Sequence, residues 1–231
     1  MRSPKDAARE AEHSALPSGS GERFAGYGVM GLTFASGHVL AMRRFTASSV
    51  GPGYTSVWHR TPDGRWAFWA DQPDENACPR YFATALSETR TIDIALSWPD
   101  ETTLRVDAPA VGLTWTSHLT ANRSTRVMNA LGRAMPDRAW RSPGVLKAMG
   151  PVAGFALRAQ KVAMVGTSPN GNDFIANPQT IWVIDESSAQ LQGDDFGTVG
   201  PLPEQARLGD FWIPQRGIFA IGRAFFDVDG A

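Results

Sequence analysis

The chain has 231 residues, of which 42% are hydrophobic and 19% are charged, and this composition excludes a disordered or collagen-like chain. The formal net charge of -1 gives no overall attraction to nucleic acid or to an anionic membrane. One cysteine, Cys78, excludes an intrachain disulfide. No apolar run has signal-peptide character or reaches the ~18 residues of a membrane span. We therefore expect a cytoplasmic protein with no nucleic-acid partner and no membrane span.

Residues 1–22 predict a flexible N-terminal tail, because they are rich in alanine, serine, glycine and charge. A short helix in this segment would have few large apolar side chains with which to dock. Residues 23–231 predict a single domain, since all-β barrels and sandwiches often use that length as one unit.

From Gly26 onward the chain alternates between short strand patterns and turn residues. The stretch GYTSVWHRTPDGRWAFWAD predicts a hairpin, because proline presets φ and glycine accepts positive φ in the Pro62-Asp63-Gly64 turn. TIDIALSW and LTWTSHLT have the period of two that is typical of half-buried strands. Asn170-Gly171 predicts a further hairpin turn.

A helical insert interrupts the strands at residues 123–150. Val127, Leu131 and Met135 have helical spacing, and Asn122 or Ser124 is a candidate N-cap. A second short helix is indicated by Ser142 and Pro143 at its start and by Gly150 just past its end.

About ten short strands with one helical region favour an antiparallel β-barrel or sandwich over a parallel sheet, which would need repeated crossover helices. The predicted fold class is therefore all-β, with the helical insert closing one end of a barrel.

No motif indicates a metal or a cofactor. The four histidines form no HxH or HExxH pair, and the chain has no phosphate-binding glycine loop and no GxSxG elbow. We expect chemistry without a metal or a cofactor, if there is chemistry at all. Cys78 is either a nucleophile favoured by Arg80 or, more simply, a buried thiol.

Three side chains are the candidates for acid–base chemistry. His59 and His118 lie on predicted strands and titrate near neutral pH when unperturbed. Asp210 precedes bulky aromatic residues, which would raise its pKa by desolvation. The alternatives are solvent-facing histidines and an ion pair between Asp210 and Arg216.

Aromatic residues and polar residues close to Pro214 indicate a ligand site. Pro214 excludes a central strand, so Phe211 to Gly217 should form a loop that places apolar walls beside a few polar groups. The candidate ligand-binding residues are Trp58, Trp69, Trp115, Trp212, Gln215 and Arg216.

Three tryptophan-bearing segments and the strand rhythm resemble the lipocalin-like (calycin) barrels, in particular the group of carotenoid hydratases and lipocalin-like cyclases. The segments are TSVWHR, IALSWPD and GDFWIPQRG, and the resemblance covers Gly26 to Val228. The GxW motif of lipocalins lies on their first strand, whereas Gly64-Arg65-Trp66 falls on the fourth strand predicted here. The resemblance therefore implies the barrel and a preference for hydrophobic ligands, and no catalytic residues.

We therefore expect a barrel cavity that binds a hydrophobic or aromatic small molecule, with or without hydration, isomerisation or cyclisation of that molecule. The sequence leaves open whether the protein is an enzyme, a carrier, a carbohydrate-binding module or a structural domain. It also leaves the oligomeric state open.

Overall fold

The computed structural model describes residues 2–227, which form fourteen strands and four α-helices. The helices are α1 (Pro4–Ala11), α2 (Pro79–Phe82), α3 (Arg123–Ala134) and α4 (Pro143–Leu157). The strands are β1 (Glu22–Thr33), β2 (Val39–Ser48), β3 (Tyr54–Arg60), β4 (Trp66–Ala70), β5 (Glu88–Thr91), β6 (Ala95–Ser97), β7 (Thr103–Ala108), β8 (Leu113–Thr120), β9 (Val165–Thr167), β10 (Asp173–Leu191), β11 (Asp194–Asp195), β12 (Arg207–Leu208), β13 (Phe211–Trp212) and β14 (Gly217–Asp227).

One sheet dominates the molecule, and its strands follow the order β5-β4-β3-β2-β1-β14-β10-β8-β7-β6. Strands β9 and β11 pair with β10 beside this path, and β12 and β13 form a separate hairpin. The mostly β class predicted from the sequence is confirmed.

The sheet is curled into a barrel-like shape, because its two edges are tied together by a short piece of chain. Strands β5 and β6 lie at opposite ends of the strand order, yet only residues 92–94 separate them in sequence. A flat sheet of ten strands would hold its edges about 43 Å apart. Three residues span at most about 14 Å between the flanking residues, so the edges must approach each other.

The inner face of the curled sheet is filled by a hydrophobic core. Side chains from strands near both edges meet there, among them Val57, Trp69, Val106 and Trp115. A second set of apolar clusters lies on the opposite, outer face and includes Trp58, Phe68 and residues of α4. Because both faces are buried, β3 has six buried residues in succession and does not alternate.

The sheet is mixed, which corrects the prediction of a purely antiparallel barrel. Strand β5 runs parallel to β4, whereas the other pairs are antiparallel. A parallel pair needs a crossover, and residues 71–87 supply it through two short 3₁₀ turns and α2. The strand predicted in TIDIALSW begins later than expected, since within it only β6 pairs with β7.

Both predicted hairpin turns are present. Gly64 has a φ of +95° between β3 and β4, and Gly171 has a φ of +89° between β9 and β10. These values lie in the left-handed region that glycine enters without a steric penalty. The resemblance to lipocalin-like barrels extends to Val228, which lies outside the described residues.

The helical insert is longer than predicted and covers the outer face of the sheet. Asn122 caps α3 by accepting a hydrogen bond from the backbone N–H of Thr125 at 2.9 Å, as predicted. Helix α4 does not end at Gly150 but continues through Pro151 to Leu157. Gly150 instead permits close packing, since a Cβ there would lie 2.4 Å from the carbonyl oxygen of Val162.

The N-terminal segment forms a packed helix in place of the flexible tail predicted at these positions. Ala8 and Ala11 of α1 are buried in the inner core. Glu12 follows α1 and accepts hydrogen bonds from the Tyr27 hydroxyl at 2.7 Å and from the Arg44 guanidinium at 3.0 Å. The small side chains of alanine allow the helix to lie close to the sheet, so docking does not require large apolar residues.

Candidate functional site

A cavity of about 750 Å³ lies on the outer face of the sheet, and we call it the outer cavity. Strands β1, β2, β10 and β14 form its floor, α3 and α4 lie across from them, and the β12–β13 hairpin forms one side. Its size is in the range of small-molecule sites. The sequence predicted a cavity inside the barrel, but the inner face is occupied by the hydrophobic core.

The outer cavity exists because neighbouring strands carry small residues at the same level of the sheet. The register pairs Gly26 of β1 with Gly222 of β14, so neither strand projects a side chain at that point. Helices that pack over such a floor leave space where a well-packed interior would have large side chains. The small floor residues are Gly26, Ala41, Ala176, Ala220, Gly222 and Ala224.

The walls of the outer cavity are apolar and aromatic. Four tryptophans contribute: Trp58, Trp66, Trp140 and Trp212. The methionines are unbranched and polarisable, and can adapt to ligands of different shape. Those that line the outer cavity are Met30, Met128, Met135, Met149 and Met164.

Arg43 places a positive charge against this apolar wall. Its guanidinium donates hydrogen bonds to the backbone carbonyl oxygens of Val29, Met42 at 2.9 Å and Met30 at 3.4 Å. It also lies 5.7 Å from the ring centre of Phe211. No carboxylate within residues 2–227 forms an ion pair with it.

The Arg43 side chain is charged at neutral pH although it is partly buried. Burial lowers its pKa to about 10, which is still well above 7. The side chain keeps some accessible surface, and because it lines the outer cavity, that surface is available to a ligand.

Asn177 adds an unpaired acceptor to the same cavity. It is 2% exposed, and its Oδ1 has no hydrogen-bond partner among the described residues. Its Nδ2 donates only a long hydrogen bond of 3.5 Å to the carbonyl oxygen of Trp140. A buried carbonyl without a donor is unfavourable by ~1–3 kcal/mol, so each such group in a native structure calls for an explanation.

Cys78 also lines the outer cavity, as a thiol. Burial raises its pKa to about 11, and its Sγ lies 3.1 Å from the Tyr54 hydroxyl. The expected stabilisation of a thiolate by Arg80 is not seen, because Arg80 pairs with Glu22 instead. Cys78 is therefore the buried thiol that was the simpler of the two expectations.

His59 lies on the inner side of β3 and does not line the outer cavity. Its Nε2 is 3.0 Å from Nδ1 of His38, and its ring stacks with those of Trp69 and Phe196. Burial and then the charge of His38 lower the pKa of His59 to about 4, while Glu88 acts in the opposite direction. His59 is thus neutral at pH 7.

The other two acid–base candidates lie apart from His59 and from the outer cavity. His118 is on β8, with Nδ1 3.4 Å from the Thr102 hydroxyl. Asp210 is exposed between β12 and β13, and its Oδ2 accepts a hydrogen bond from the backbone N–H of Thr167 at 3.0 Å. The structure therefore brings none of the three together.

The predicted ligand-binding residues divide into three groups. Trp58 and Trp212 line the outer cavity, whereas Trp69 and Trp115 belong to the inner core. Gln215 and Arg216 form the third group, because both bind other parts of the protein. Gln215 pairs with the backbone N–H and carbonyl of Leu202 at 2.8 and 3.0 Å.

Arg216 forms two hydrogen bonds of 2.8 Å with Asp185. The alternative of an Asp210–Arg216 ion pair is therefore wrong. The carboxylate that pairs with Arg216 belongs to Asp185 of β10, 31 residues earlier in the chain, and local spacing could not reveal this.

The sequence interpretation missed Arg43, Asn177, Trp66 and Trp140. Arg43 stands in MRRFT beside a second arginine, and no local signal separates the two. Asn177-Pro178 breaks a strand pattern, and the register of β10 shifts there. That dipeptide was the available clue, because proline inside a strand marks an irregularity.

Two further observations concern metals and sugars. No group of three or more His, Cys, Asp or Glu side chains in residues 2–227 is placed to hold a metal ion. All eight tryptophans fall within this range and none is exposed, whereas a carbohydrate-binding module would show exposed coplanar rings.

No helix in the described part of the chain is both long and apolar enough to cross a membrane. No protein-family model matches the chain, and no curated protein matches its sequence. Among solved structures it is similar to acetoacetate decarboxylase from Legionella pneumophila, with 11% identity and a TM-score of 0.41. That likeness covers 92% of this chain and 86% of the other.

Proposed function

We propose that the protein binds an amphipathic small molecule in the outer cavity, with an apolar body and an anionic oxygen group that pairs with Arg43. The observation that carries this proposal is a charged guanidinium in an apolar wall, for which residues 2–227 supply no carboxylate partner. A buried charge without compensation is strongly unfavourable. Backbone carbonyls accept three of the guanidinium hydrogen bonds, and a carboxylate or enolate would supply the missing negative charge.

Unused donors on Arg43 support a two-point contact. Its Nη1 atom donates to two carbonyl oxygens and its Nη2 atom to one, whereas Nε donates to none of the described residues. An arginine presents parallel N–H groups that match the two oxygens of a carboxylate.

Asn177 supports a second polar group on the ligand, at a distance from the first. Strands β1 and β14 separate β2 from β10, so three strand spacings, roughly 14 Å along the sheet, lie between the two residues. A hydroxyl or amide N–H on the ligand would satisfy the free Oδ1 of Asn177. The proposed ligand is therefore elongated, apolar in its middle and polar at both ends.

The test compares dodecanoate with dodecan-1-ol, which share an apolar chain and differ in charge. Isothermal titration calorimetry of the purified protein should show at least about tenfold tighter binding of dodecanoate, since hydrogen bonds to charged groups contribute ~1.5–3 kcal/mol. Arg43→Met should remove this preference, and Arg90→Met, an exposed arginine on β5, should keep it. Ala224→Phe, which fills the floor, should weaken both ligands.

Equal binding of the two ligands by the unchanged protein, or a preference that persists in a folded Arg43→Met variant, would contradict the proposal. Native mass spectrometry of protein purified gently from its own cells then identifies the natural ligand. A stoichiometric extra mass that is lost on denaturation gives its composition.

Catalysis on the bound molecule, by hydration, isomerisation or cyclisation, is a further proposal. It assigns proton transfer to His59, His118 or Asp210, although these residues lie outside the outer cavity. Single replacements separate the two functions: an enzyme loses turnover and retains the ligand, whereas a carrier shows small changes in affinity alone.

A further inference from the structure

The helices that cover the outer cavity present apolar side chains to solvent. Six large apolar side chains in residues 2–227 are exposed, and five of them lie on α3 and α4. Phe155 is 88% exposed, which is unusual because phenylalanine is among the residues most often buried. The five residues are Val127, Leu131, Val145, Val152 and Phe155, and we call them the apolar stripe.

The apolar stripe follows the helical period. On α3, Val127 and Leu131 are four residues apart, and on α4, Val145, Val152 and Phe155 are separated by seven and three residues. These spacings place each set on one side of its helix. The two helices therefore carry apolar faces that no other part of the described chain covers.

Positive charge is concentrated around the apolar stripe. Residues 123–161 contain eight basic residues and one acidic residue, Asp137, which gives this segment a net charge of +7. The rest of the chain has fourteen basic and 22 acidic residues, a net charge of -8. All eight basic side chains are exposed: Arg123, Arg126, Arg133, Arg138, Arg141, Lys147, Arg158 and Lys161.

The apolar stripe is continuous with the mouth of the outer cavity. Leu131, Val145 and Val152 are exposed to solvent and also line the cavity. A surface that covers the stripe would therefore also cover the entrance.

We propose that the α3–α4 hairpin docks onto the surface of an anionic lipid bilayer, with the apolar stripe among the headgroups and upper acyl chains. Apolar side chains surrounded by lysine and arginine are the pattern of interfacial membrane-binding helices. A second copy of this chain would bring one net charge of +7 against another, which disfavours a self-interface. This inference goes beyond the proposed ligand binding and does not depend on it.

Docking in this orientation would place the cavity entrance against the bilayer. A ligand with an apolar body could then pass between membrane and cavity without crossing water. This consequence, unlike the docking itself, rests on the proposed function.

The test is sedimentation of the full chain with two kinds of vesicle at 0.1 and 0.5 M NaCl. One kind is phosphatidylcholine alone, and the other contains phosphatidylglycerol at about 30 mol%. We expect at least about tenfold tighter binding to the anionic vesicles at low salt, and a marked loss at high salt. Equal binding to both kinds, or to neither, overturns the proposal.

Matched variants separate the apolar from the electrostatic part. Phe155→Ser should weaken binding to the anionic vesicles about fivefold or more, whereas Leu16→Ser, an exposed leucine outside the hairpin, should not. The double change Arg133→Glu and Lys147→Glu should weaken it about tenfold or more, and Arg65→Glu and Arg90→Glu together should not. If the stripe variant binds like the unchanged protein, docking through this surface is wrong.

Two further outcomes distinguish other occupants. If the protein binds no vesicles but forms a dimer that Phe155→Ser abolishes, the surface contacts a second copy of the chain. That outcome overturns the proposal. The proposal is also overturned if an acidic amphipathic peptide binds to the protein and vesicles do not. Arg43→Met should retain vesicle binding, and Phe155→Ser should retain dodecanoate binding in solution. The experiments therefore distinguish failure of membrane docking from failure of ligand binding in the outer cavity.

Discussion

Two adjacent arginines in β2 have different environments because successive side chains of a strand point to opposite faces. Arg43 points to the outer face and lines the cavity, and no carboxylate in the described part of the chain pairs with it. Arg44 points to the inner side and pairs with Glu12, and hydrogen bonds from Arg44 and Tyr27 outweigh burial, so that the pKa of Glu12 lies below its usual value. The same residue type is thus a structural ion pair at one position and a candidate ligand anchor at the next.

The protonation of His59 should appear as a dependence of stability on pH. In the folded protein burial holds its pKa at about 4, whereas in the unfolded chain the value is ~6.5. Below pH 6.5 the unfolded chain therefore binds a proton that the folded protein does not, so the free energy of unfolding decreases from pH 6.5 to 4 and then levels off. The loss due to His59 alone should reach about 3 kcal/mol at most. Burial lowers the pKa of His38 as well, so His38 adds to the total loss.

Urea unfolding of the unchanged protein and of His59→Gln between pH 4 and 8 checks this expectation. In the variant, the free energy of unfolding should depend much less on pH below 6.5. At pH 7.5 the difference in free energy of unfolding between the two proteins reports the cost of the substitution in packing alone. An unchanged slope in His59→Gln would show that other groups cause the acid sensitivity.

At the scale of elements, α3 and α4 are positioned by contacts that differ in kind. Asn129 of α3 pairs with the backbone N–H and carbonyl of Ile181 at 2.8 and 2.9 Å, beside the irregularity of β10 at Pro178. Helix α4 packs closely against the segment that follows it, since a Cβ on Gly154 would lie 2.0 Å from the carbonyl oxygen of Gln160.

Gly154→Ala should therefore destabilise the protein, although alanine is the better helix former. The added methyl group must displace backbone, and such overpacking costs about 1–3 kcal/mol. Gly144→Ala in the same helix is the control, because nothing lies within 4 Å of a Cβ at that position. Denaturant unfolding should show a loss for the first variant and no loss for the second. A Gly154→Ala variant as stable as the unchanged protein would show that the segment after α4 moves aside to make room for the methyl group.

For the whole molecule, curling of the sheet creates an inner core that α1 closes. The Tyr27 hydroxyl is buried against Glu12, and the pKa of Tyr27 is raised by burial and by that carboxylate. The N-terminal segment thus belongs to the folded unit at residues 4–12. The net charge of -1 conceals the opposite charges of the helical insert and of the rest of the chain.

Glu12→Ala should lower the free energy of unfolding by about 1–3 kcal/mol, because it leaves the Tyr27 hydroxyl and the Arg44 guanidinium without their partner. Glu10→Ala is the matched control, since among residues 2–227 the Glu10 carboxylate pairs only with the exposed Arg2, and exposed ion pairs contribute little. Thermal and urea unfolding give both values. Equal stability of the two variants would contradict the docking of the N-terminal segment and would favour the flexible tail predicted from the sequence.

Much of the secondary structure could be predicted because its signals are local. The Pro62-Asp63-Gly64 and Asn170-Gly171 turns, the Asn122 cap and the mostly β class all follow from neighbouring residues. The end of α4 could not be predicted, because Gly150 looks like a helix stop unless its contact with Val162 is known.

The candidate site depends on contacts between residues that are distant in sequence. Gly26 and Gly222 form one floor only because β1 and β14 pair. Trp58 and Trp69 lie on opposite faces because the register of β3 and β4 pairs Trp58 with Phe68 and Trp69 with Val57.

The sequence by itself determined that this chain forms a mostly β fold without disulfides, rich in tryptophan, with a helical insert that begins at residue 123. Only the tertiary structure decided that the cavity lies outside the curled sheet, that Arg43 lines it, and that the helical insert presents an apolar, basic surface. The physical reason is that alternation along a strand defines two faces but not which one is enclosed, and strand pairing over long sequence distances makes that choice.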